Sequence, residues 1–243
     1  MSYRLIWDLP TRIFHWVLAG GFIAAAFLAL AAGDDSPLFP YHGIIGLVIA
    51  MAVVLRLIWG VIGTRHAKFG SFVFGPGEIL EYMKGIFAPD GKRYVGHNPG
   101  SSVAIFGLLG LTLAIALTGI MLGRGIEQVK EIHELLAYLA VALTFLHIAG
   151  VALHTVVHRE NIIASMVHGK KEAEADEQIA SSQPLIALVF LVILGIWGYG
   201  LLNSFDAQTN TTRIPFTSVS LQLAESEESE HAERGIHHDD DDD

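Results

Sequence analysis

The sequence predicts an all-α integral membrane protein. Apolar residues make up 52% of the 243-residue chain, charged residues only 16%, and the mean hydropathy is +0.47. The apolar residues occur in blocks of about twenty, which is the length a helix needs to cross a bilayer core of ~30 Å. The chain has no cysteine, which excludes disulfides, thiolate metal sites, iron–sulfur clusters and attachment of a cofactor through C-x-x-C-H.

The apolar blocks predict five transmembrane helices, at 13–32, 42–63, 101–122, 133–157 and 184–202. Lysine and arginine are concentrated in the N-terminus, in the loop at 64–100 and in the segment at 158–183. The positive-inside rule places these three parts in the cytoplasm. The predicted topology therefore has a cytoplasmic N-terminus, and the C-terminus lies on the outer side of the membrane.

The first apolar block has an alternative interpretation as a cleavable signal peptide. Arg4 and Arg12 precede the block, and Ala29-Leu30-Ala31 at its end is typical of a cleavage site. The block is longer than an ordinary signal core and carries His15 within it. We therefore expect an uncleaved first transmembrane helix.

Histidines at the edges of these blocks predict two haems. His133 and His147 are fourteen residues apart, which is roughly 21 Å along a helix and returns both side chains to nearly the same face. The topology pairs His42 with His133 near the outer surface, and His15 with His147 near the inner surface. Imidazoles at equal depth on facing helices are suitable axial ligands of haem iron. His154, seven residues after His147 on nearly the same face, remains a rival for the inner haem.

Two arginines in the predicted helices are candidates for pairing with haem propionates. Arg56 lies fourteen residues after His42, on the same face and at the depth of the inner haem, and Arg12 lies one turn before His15. Ionisable groups within a membrane are costly and are usually functional. The alternative is that these guanidinium groups extend to the membrane interface.

The C-terminal part follows a charged cytoplasmic linker at 172–183 and the fifth helix at 184–202. Residues 203–243 hold eleven acids against two arginines and end in five aspartates. This composition predicts a disordered tail. Such a tail either solubilises the protein or attracts a basic soluble partner such as a c-type cytochrome, because surface charge steers association.

Several segments together resemble one family. They are WDLPTRIFHW in the first helix, HGIIG and RLIWG in the second, RYVGHNP before the third, and IHELLAYLAVALTFLHIAGVALH with HRENIIASMVHGKK in and after the fourth. The chain is similar over about residues 3–171 to bacterial di-haem b-type cytochromes, the group of cytochrome b561 and the cytochrome b subunit of nickel–iron hydrogenases. The resemblance implies a four-helix haem-binding transmembrane bundle at 1–171, with the fifth helix and the tail outside it.

The resemblance also implies cofactors and roles. The haem-ligating histidines of the family match the four that topology pairs, which ranks His147 above His154. The implied cofactors are two haem b groups, and the implied substrate is a quinone or quinol near the inner haem. His97, in the GHNP motif, is the candidate for quinone contact or proton handling, since the pKa of histidine lies near neutrality. It is alternatively a contact at the start of the third helix.

We therefore expect a transmembrane electron carrier in the bacterial inner membrane. It would connect the quinone pool with a periplasmic redox partner, either a c-type cytochrome or a hydrogenase-like enzyme. One alternative is a stand-alone membrane oxidoreductase that uses superoxide or another small oxidant together with quinone. The other is a structural anchor for a peripheral redox enzyme. No nucleic-acid partner is expected.

Overall fold

The computed structural model describes residues 2–33, 36–86 and 94–224. The long helices are α1 (Leu9–Phe27, continued by a π-helical turn at Leu28–Ala32), α2 (Pro40–Ile62), α4 (Pro99–Leu122), α5 (Lys130–His158) and α7 (Pro184–Asn203). The shorter elements are β1 (Ser2–Leu5), a 3₁₀ turn (Phe69–Ser71), α3 (Pro76–Gly85), a 3₁₀ turn (Glu127–Val129), α6 (Ile162–His168), β2 (Lys170–Ala173), β3 (Thr211–Arg213) and β4 (Ser220–Gln222).

Within the described residues, five helices are long and apolar enough to cross a membrane, which confirms the predicted all-α membrane architecture. Several begin earlier than hydropathy predicts, because their first turns contain polar capping residues. The Asp8 side chain accepts a hydrogen bond from the Thr11 amide at 2.8 Å, and the Asn98 side chain accepts one from Ser101 at 2.8 Å. Such caps satisfy amide groups that the helix itself leaves unpaired.

One end of the bundle, which we call the sheet side, collects residues 2–8, the segment between α2 and α4, and residues 159–183. β1 pairs antiparallel with β2, with Ser2 opposite Ala173. The predicted linker at 172–183 is packed against this end. The His66 ring contacts the Glu177 carbonyl oxygen at 2.7 Å, and the side chain of Ile179 is buried.

The opposite end, which we call the hairpin side, is covered by the antiparallel pair of β3 and β4. The Gln222 amide donates to the Gly123 carbonyl at 2.8 Å, and Leu221 is buried against Ile44 and Leu201. The structure thus differs from the disordered tail predicted at 203–243, since residues 204–224 are folded. The physical reason is that ten of the eleven acids lie at 225–243, outside the described residues, whereas residues 204–224 supply apolar side chains.

The long helices pack unevenly. α1 packs along α2 and α5 along α4, α2 contacts α4, and α7 covers α1 and α2. α5 does not pack closely against α1 or α2, although these three helices carry the four histidines of interest. Helix backbones that stand apart in this way leave room for a group between them.

Candidate functional site

His42 and His133 face each other near the hairpin side. Both lie in the first turn of their helices, α2 and α5, and their ring centroids are 6.3 Å apart with an interplanar angle of 76°. An imidazole nitrogen binds a transition metal at about 2 Å. Two imidazoles on opposite faces of one iron therefore have ring centroids roughly 6 Å apart, since each centroid lies about 1 Å beyond its nitrogen. The observed centroid separation of 6.3 Å is compatible with this arrangement.

Hydrogen bonds orient both of these rings. Nδ1 of His42 lies 2.9 Å from the Ala25 carbonyl oxygen, which can only accept, so this nitrogen is the donor. Nδ1 of His133 lies 2.9 Å from Oγ1 of Thr118. The Thr118 hydroxyl is also 2.9 Å from the Ala114 carbonyl oxygen and donates to it, so the Thr118 oxygen accepts from His133. Both imidazoles therefore keep a lone pair on Nε2, the arrangement that metal-ligating histidines require.

His15 and His147 are the second predicted pair, toward the sheet side. His15 lies in the first half of α1, and His147 lies in the second half of α5. The His15 ring lies edge-on to Trp16, with centroids 4.9 Å apart, and within the described residues its Nδ1 is buried without a hydrogen-bond partner. Unlike His42 and His133, His15 is thus not oriented through Nδ1, and its pairing with His147 stays a prediction.

His154, the rival of His147, has other partners. Its Nε2 lies 3.4 Å from a Glu160 carboxylate oxygen, and its ring lies 4.5 Å from that of His158. Burial by itself would raise the pKa of Glu160, but the hydrogen bond with His154 and the charge of Lys171, 3.1 Å away, lower it to about 2. An ionised Glu160 holds His154 at the end of α5, which favours His147 as the partner of His15.

Arg56 and Arg12 lie at the same end of the bundle. Arg56 is buried, with its guanidinium 4.8 Å from the Phe69 ring centroid and Nη2 donating to the Ala67 carbonyl at 3.2 Å. Within the described part of the chain, Nη1 of Arg56 and Nε of Arg12 are buried without a hydrogen-bond partner. Buried donors without partners are costly, and a carboxylate such as that of a haem propionate is a suitable acceptor for either of them.

His97 lies between two aromatic rings on the sheet side. Its ring centroid is 4.6 Å from that of Trp7 and 4.2 Å from that of Phe72, and its Nδ1 is buried without a partner. Burial, reinforced by the nearby charges of Arg56 and His66, lowers the pKa of His97 to about 3. His97 is therefore neutral at physiological pH and is better suited to hydrogen bonding than to carrying a proton.

Three further residues of the site were missed by the sequence analysis. Asp8 is buried and accepts hydrogen bonds from Trp59 at 3.2 Å and from the Thr64 hydroxyl, which ties α1 to the end of α2. Thr118 orients His133. The position of Asp8, two residues before Pro10, is a helix-capping signal that could have identified it. Sequence offers no corresponding signal for Thr118 or Trp59, because their partners are distant along the chain.

Two glycines leave space beside the His42 and His133 rings. Gly46 lies one turn after His42 on the same face, and a Cβ added there would meet no atom within 4 Å. A Cβ at Gly119 would lie 3.3 Å from the His133 ring, so glycine leaves that ring its place. Among the described residues, no group of three or more histidine, cysteine or acidic side chains could hold a metal ion. Iron held by two imidazoles thus needs its remaining ligands from a macrocycle.

The family comparison agrees with this geometry. The family model for prokaryotic cytochrome b561 matches residues 6–169. The chain belongs to this family. Membership implies haem b and electron transfer within a membrane, as the sequence analysis predicted. The match ends before α7, so the fifth helix and the hairpin of β3 and β4 are additions to the family core.

Several relatives are named probable Ni/Fe-hydrogenase B-type cytochrome subunits. The one from Bradyrhizobium diazoefficiens is 25% identical, and the match covers 69% of this chain and 85% of the relative. That of Rhodobacter capsulatus is 24% identical, covering 70% and 82%, and that of Azotobacter vinelandii is 23% identical, covering 68% and 86%. No solved structure matches the chain.

Proposed function

We propose that the protein binds two haem b groups and conducts electrons across the membrane, with His42 and His133 as axial ligands of one haem and His15 and His147 of the other. The observation that carries the proposal is the facing pair of His42 and His133, 6.3 Å apart with both Nδ1 atoms hydrogen-bonded. Bound haem b supplies a one-electron carrier, because its iron exchanges between the ferric and ferrous states.

The residues of the chain fix where the two carriers sit. α5 holds His133 and His147 on one face of one continuous helix, so their separation of roughly 21 Å is set by helix geometry. Thr118 and the Ala25 carbonyl orient the imidazoles on the hairpin side. Arg56 supplies a positive charge to a propionate on the sheet side. A cation near haem iron raises its reduction potential, because it disfavours the ferric form.

The ligand assignment is tested by haem stoichiometry and reduced-minus-oxidised spectra of the purified protein. We expect two haems per chain in the parent protein and one in each of His15→Ala, His42→Ala, His133→Ala and His147→Ala. His154→Ala is the matched control on α5 and should retain both haems. If His147→Ala keeps both haems while His154→Ala loses one, His154 is the ligand; one haem per chain in the parent protein would contradict the di-haem proposal.

We further propose that the sheet side faces the cytoplasm and that His97 contacts a quinone there. The concentration of lysine and arginine supports this orientation. The unpartnered Nδ1 of His97 is available to a quinone carbonyl, and neighbouring Trp7 and Phe72 offer aromatic surfaces. We expect His97→Ala to raise the KM for quinol with unchanged haem content, while His168→Ala, an exposed histidine at the same end, leaves it unchanged. An unchanged KM in both variants would contradict the assignment.

We propose a periplasmic redox enzyme or c-type cytochrome as partner, reached from the hairpin side. The names of the relatives support a hydrogenase-like enzyme, and the acids at 225–243 support a basic partner surface. Opposite charges accelerate association and do so less at high salt. Truncation after residue 224 should therefore slow partner reduction at low salt and remove its salt dependence. Unchanged kinetics after truncation would contradict electrostatic steering.

A further inference from the structure

We propose that a cavity at the sheet-side end of α2 binds the phosphate headgroup of an anionic phospholipid. The cavity has a volume of about 690 Å³, and Val61, Arg65, Lys68 and Phe69 are among the residues that line it. This volume is within the range of roughly 300–1,000 Å³ that is typical of small-molecule sites. None of these residues belongs to the haem or quinone sites.

The walls of the cavity change from apolar to cationic along the membrane normal. This order complements an anionic phospholipid, in which apolar acyl chains lead to a negatively charged headgroup. α2 ends at Ile62, and the last two side chains of the helix, Val61 and Ile62, are 70% and 66% exposed. Arg65 and Lys68 follow immediately, at the depth where a helix that has just left the hydrocarbon core meets headgroups. Aliphatic side chains at the end of a span next to two cations fit an acyl chain below a phosphate.

The cationic wall is held in place. Nη1 of Arg65 donates to the Asp176 carbonyl oxygen at 2.7 Å, which fixes the guanidinium against the segment after β2. A guanidinium has five N–H donors, so this one bond leaves others for phosphate oxygens. Lys68 begins the 3₁₀ turn, and its ammonium group is exposed. Together they present two positive charges to one cavity.

The remaining wall is a rigid aromatic surface. The Phe69 ring occupies the place of a side chain at position 60, since a Cβ added to Gly60 would lie 2.1 Å from that ring. The guanidinium of Arg56 lies over the ring at 4.8 Å from its centroid. The aromatic wall of the cavity is thus fixed by its packing between α2 and the guanidinium of Arg56.

The test is native mass spectrometry of the haem-loaded protein in detergent, titrated with phosphatidylglycerol or with phosphatidylcholine. We expect saturable binding of phosphatidylglycerol that is stronger than that of phosphatidylcholine. The double variant Arg65→Gln/Lys68→Gln should bind phosphatidylglycerol about tenfold or more weakly, since each cation near the headgroups contributes to attraction. Lys84→Gln/Lys170→Gln removes the same charge from the same end of the bundle, outside the cavity, and should bind as the parent does.

Each other outcome overturns the proposal. Equal weakening in both double variants would indicate general surface charge, and unchanged binding in both would indicate a lipid bound elsewhere. A competition arm with inorganic phosphate distinguishes the source of the phosphate. If inorganic phosphate at the same concentration displaces phosphatidylglycerol by half, the two bind equally tightly, the acyl chains contribute nothing, and the lipid assignment is wrong. Lys68→Gln alone, which leaves the Arg65 hydrogen bond intact, should weaken binding in the same direction and controls for misfolding.

Discussion

The two histidine pairs of this protein differ in how the chain prepares them. His42 and His133 have both Nδ1 atoms hydrogen-bonded, one to the Ala25 carbonyl and one to Thr118. On the sheet side, Nδ1 of His15 is buried without a partner among the described residues, and the same end of the bundle holds the buried cation Arg56. Hydrogen bonds thus orient the first pair, whereas a buried cation distinguishes the end of the bundle that holds the second.

In the proposed di-haem arrangement, one helix therefore supports two sites of different character. Hydrogen bonds to Nδ1 set the tautomer and ring orientation of a ligand, so we expect them to control how tightly the hairpin-side haem is held. A buried guanidinium acts through its charge, so we expect Arg56 to affect the potential of the sheet-side haem more than its retention. Substitutions in the two regions should therefore separate haem loss from changes in potential.

The largest expected effect comes from filling the space beside His42. Gly46→Leu adds a side chain to a position where an added Cβ meets no atom within 4 Å, and we expect the hairpin-side haem to be lost while the sheet-side haem is retained. Leucine favours helix more than glycine does, so α2 itself should not be weakened. Haem per chain, determined by pyridine haemochrome assay, should fall from two to one.

Gly20→Leu is the matched control for this prediction. Gly20 also has no atom within 4 Å of an added Cβ, but it lies at an exposed position of α1. It should retain both haems. Two haems in Gly46→Leu would show that the open space beside His42 is not occupied by a macrocycle.

A smaller effect is expected when the orienting hydrogen bond alone is removed. Thr118→Val keeps the branched shape of the side chain but deprives His133 of its side-chain acceptor. Loss of such a partner typically weakens metal binding by about 10–100-fold. The rate of haem transfer to an apo-globin should therefore rise for one haem of the two.

Thr112→Val controls for the loss of a hydroxyl on the same helix, because the Thr112 hydroxyl donates only to the carbonyl of its own helix at Leu108, 2.7 Å away. Its haem transfer should match that of the parent. Equally faster haem transfer in both threonine variants would indicate that losing a hydroxyl from α4 is the cause, and not the orientation of His133.

Features that depend on neighbouring residues could be predicted from sequence, whereas features that depend on packing between helices could not. The five helices and the family were predicted correctly, because apolar blocks and the motifs around them are local patterns in the chain. Thr118 and the Ala25 carbonyl could not be predicted, since their roles depend on how α1, α4 and α5 pack in space. The ligand roles of the four histidines remain predictions.

The hairpin of β3 and β4 was missed for a different reason. The average composition of residues 203–243 is dominated by the acids at the end of the segment. It conceals the apolar side chains of the hairpin, which alternate with polar ones. Leu221 and Ile214, which pack on the ends of α2 and α7, lie within the part that the acids do not reach. A window of the size of one hairpin would have separated the two parts.

The smallest expected effect is a dependence of stability on pH, which we assign to His97 on the sheet side. Its pKa is about 3 in the folded protein and near 6.5 when unfolded, because burial and the charges of Arg56, His66, Lys171 and His15 disfavour its protonation. Between these values the unfolded chain binds a proton that the folded chain does not, so stability rises with pH. The contribution of a neutral His97 is complete above pH 6.5 and is lost as the pH falls toward 3.

The replacement His97→Gln removes this titration. We expect the melting temperature of the parent protein to fall more than that of His97→Gln between neutral pH and about pH 5, by roughly 4–8 °C. The two pKa values correspond to about 2 kcal/mol over this range, and each kcal/mol shifts the melting temperature of a protein of this size by roughly 2–4 °C. His168→Gln, at an exposed position of the same end, should follow the parent. Parallel curves of melting temperature against pH for all three proteins would mean that His97 takes up its proton in the folded protein as it does in the unfolded chain. The sheet side would then carry a further positive charge near Arg56 at about pH 5.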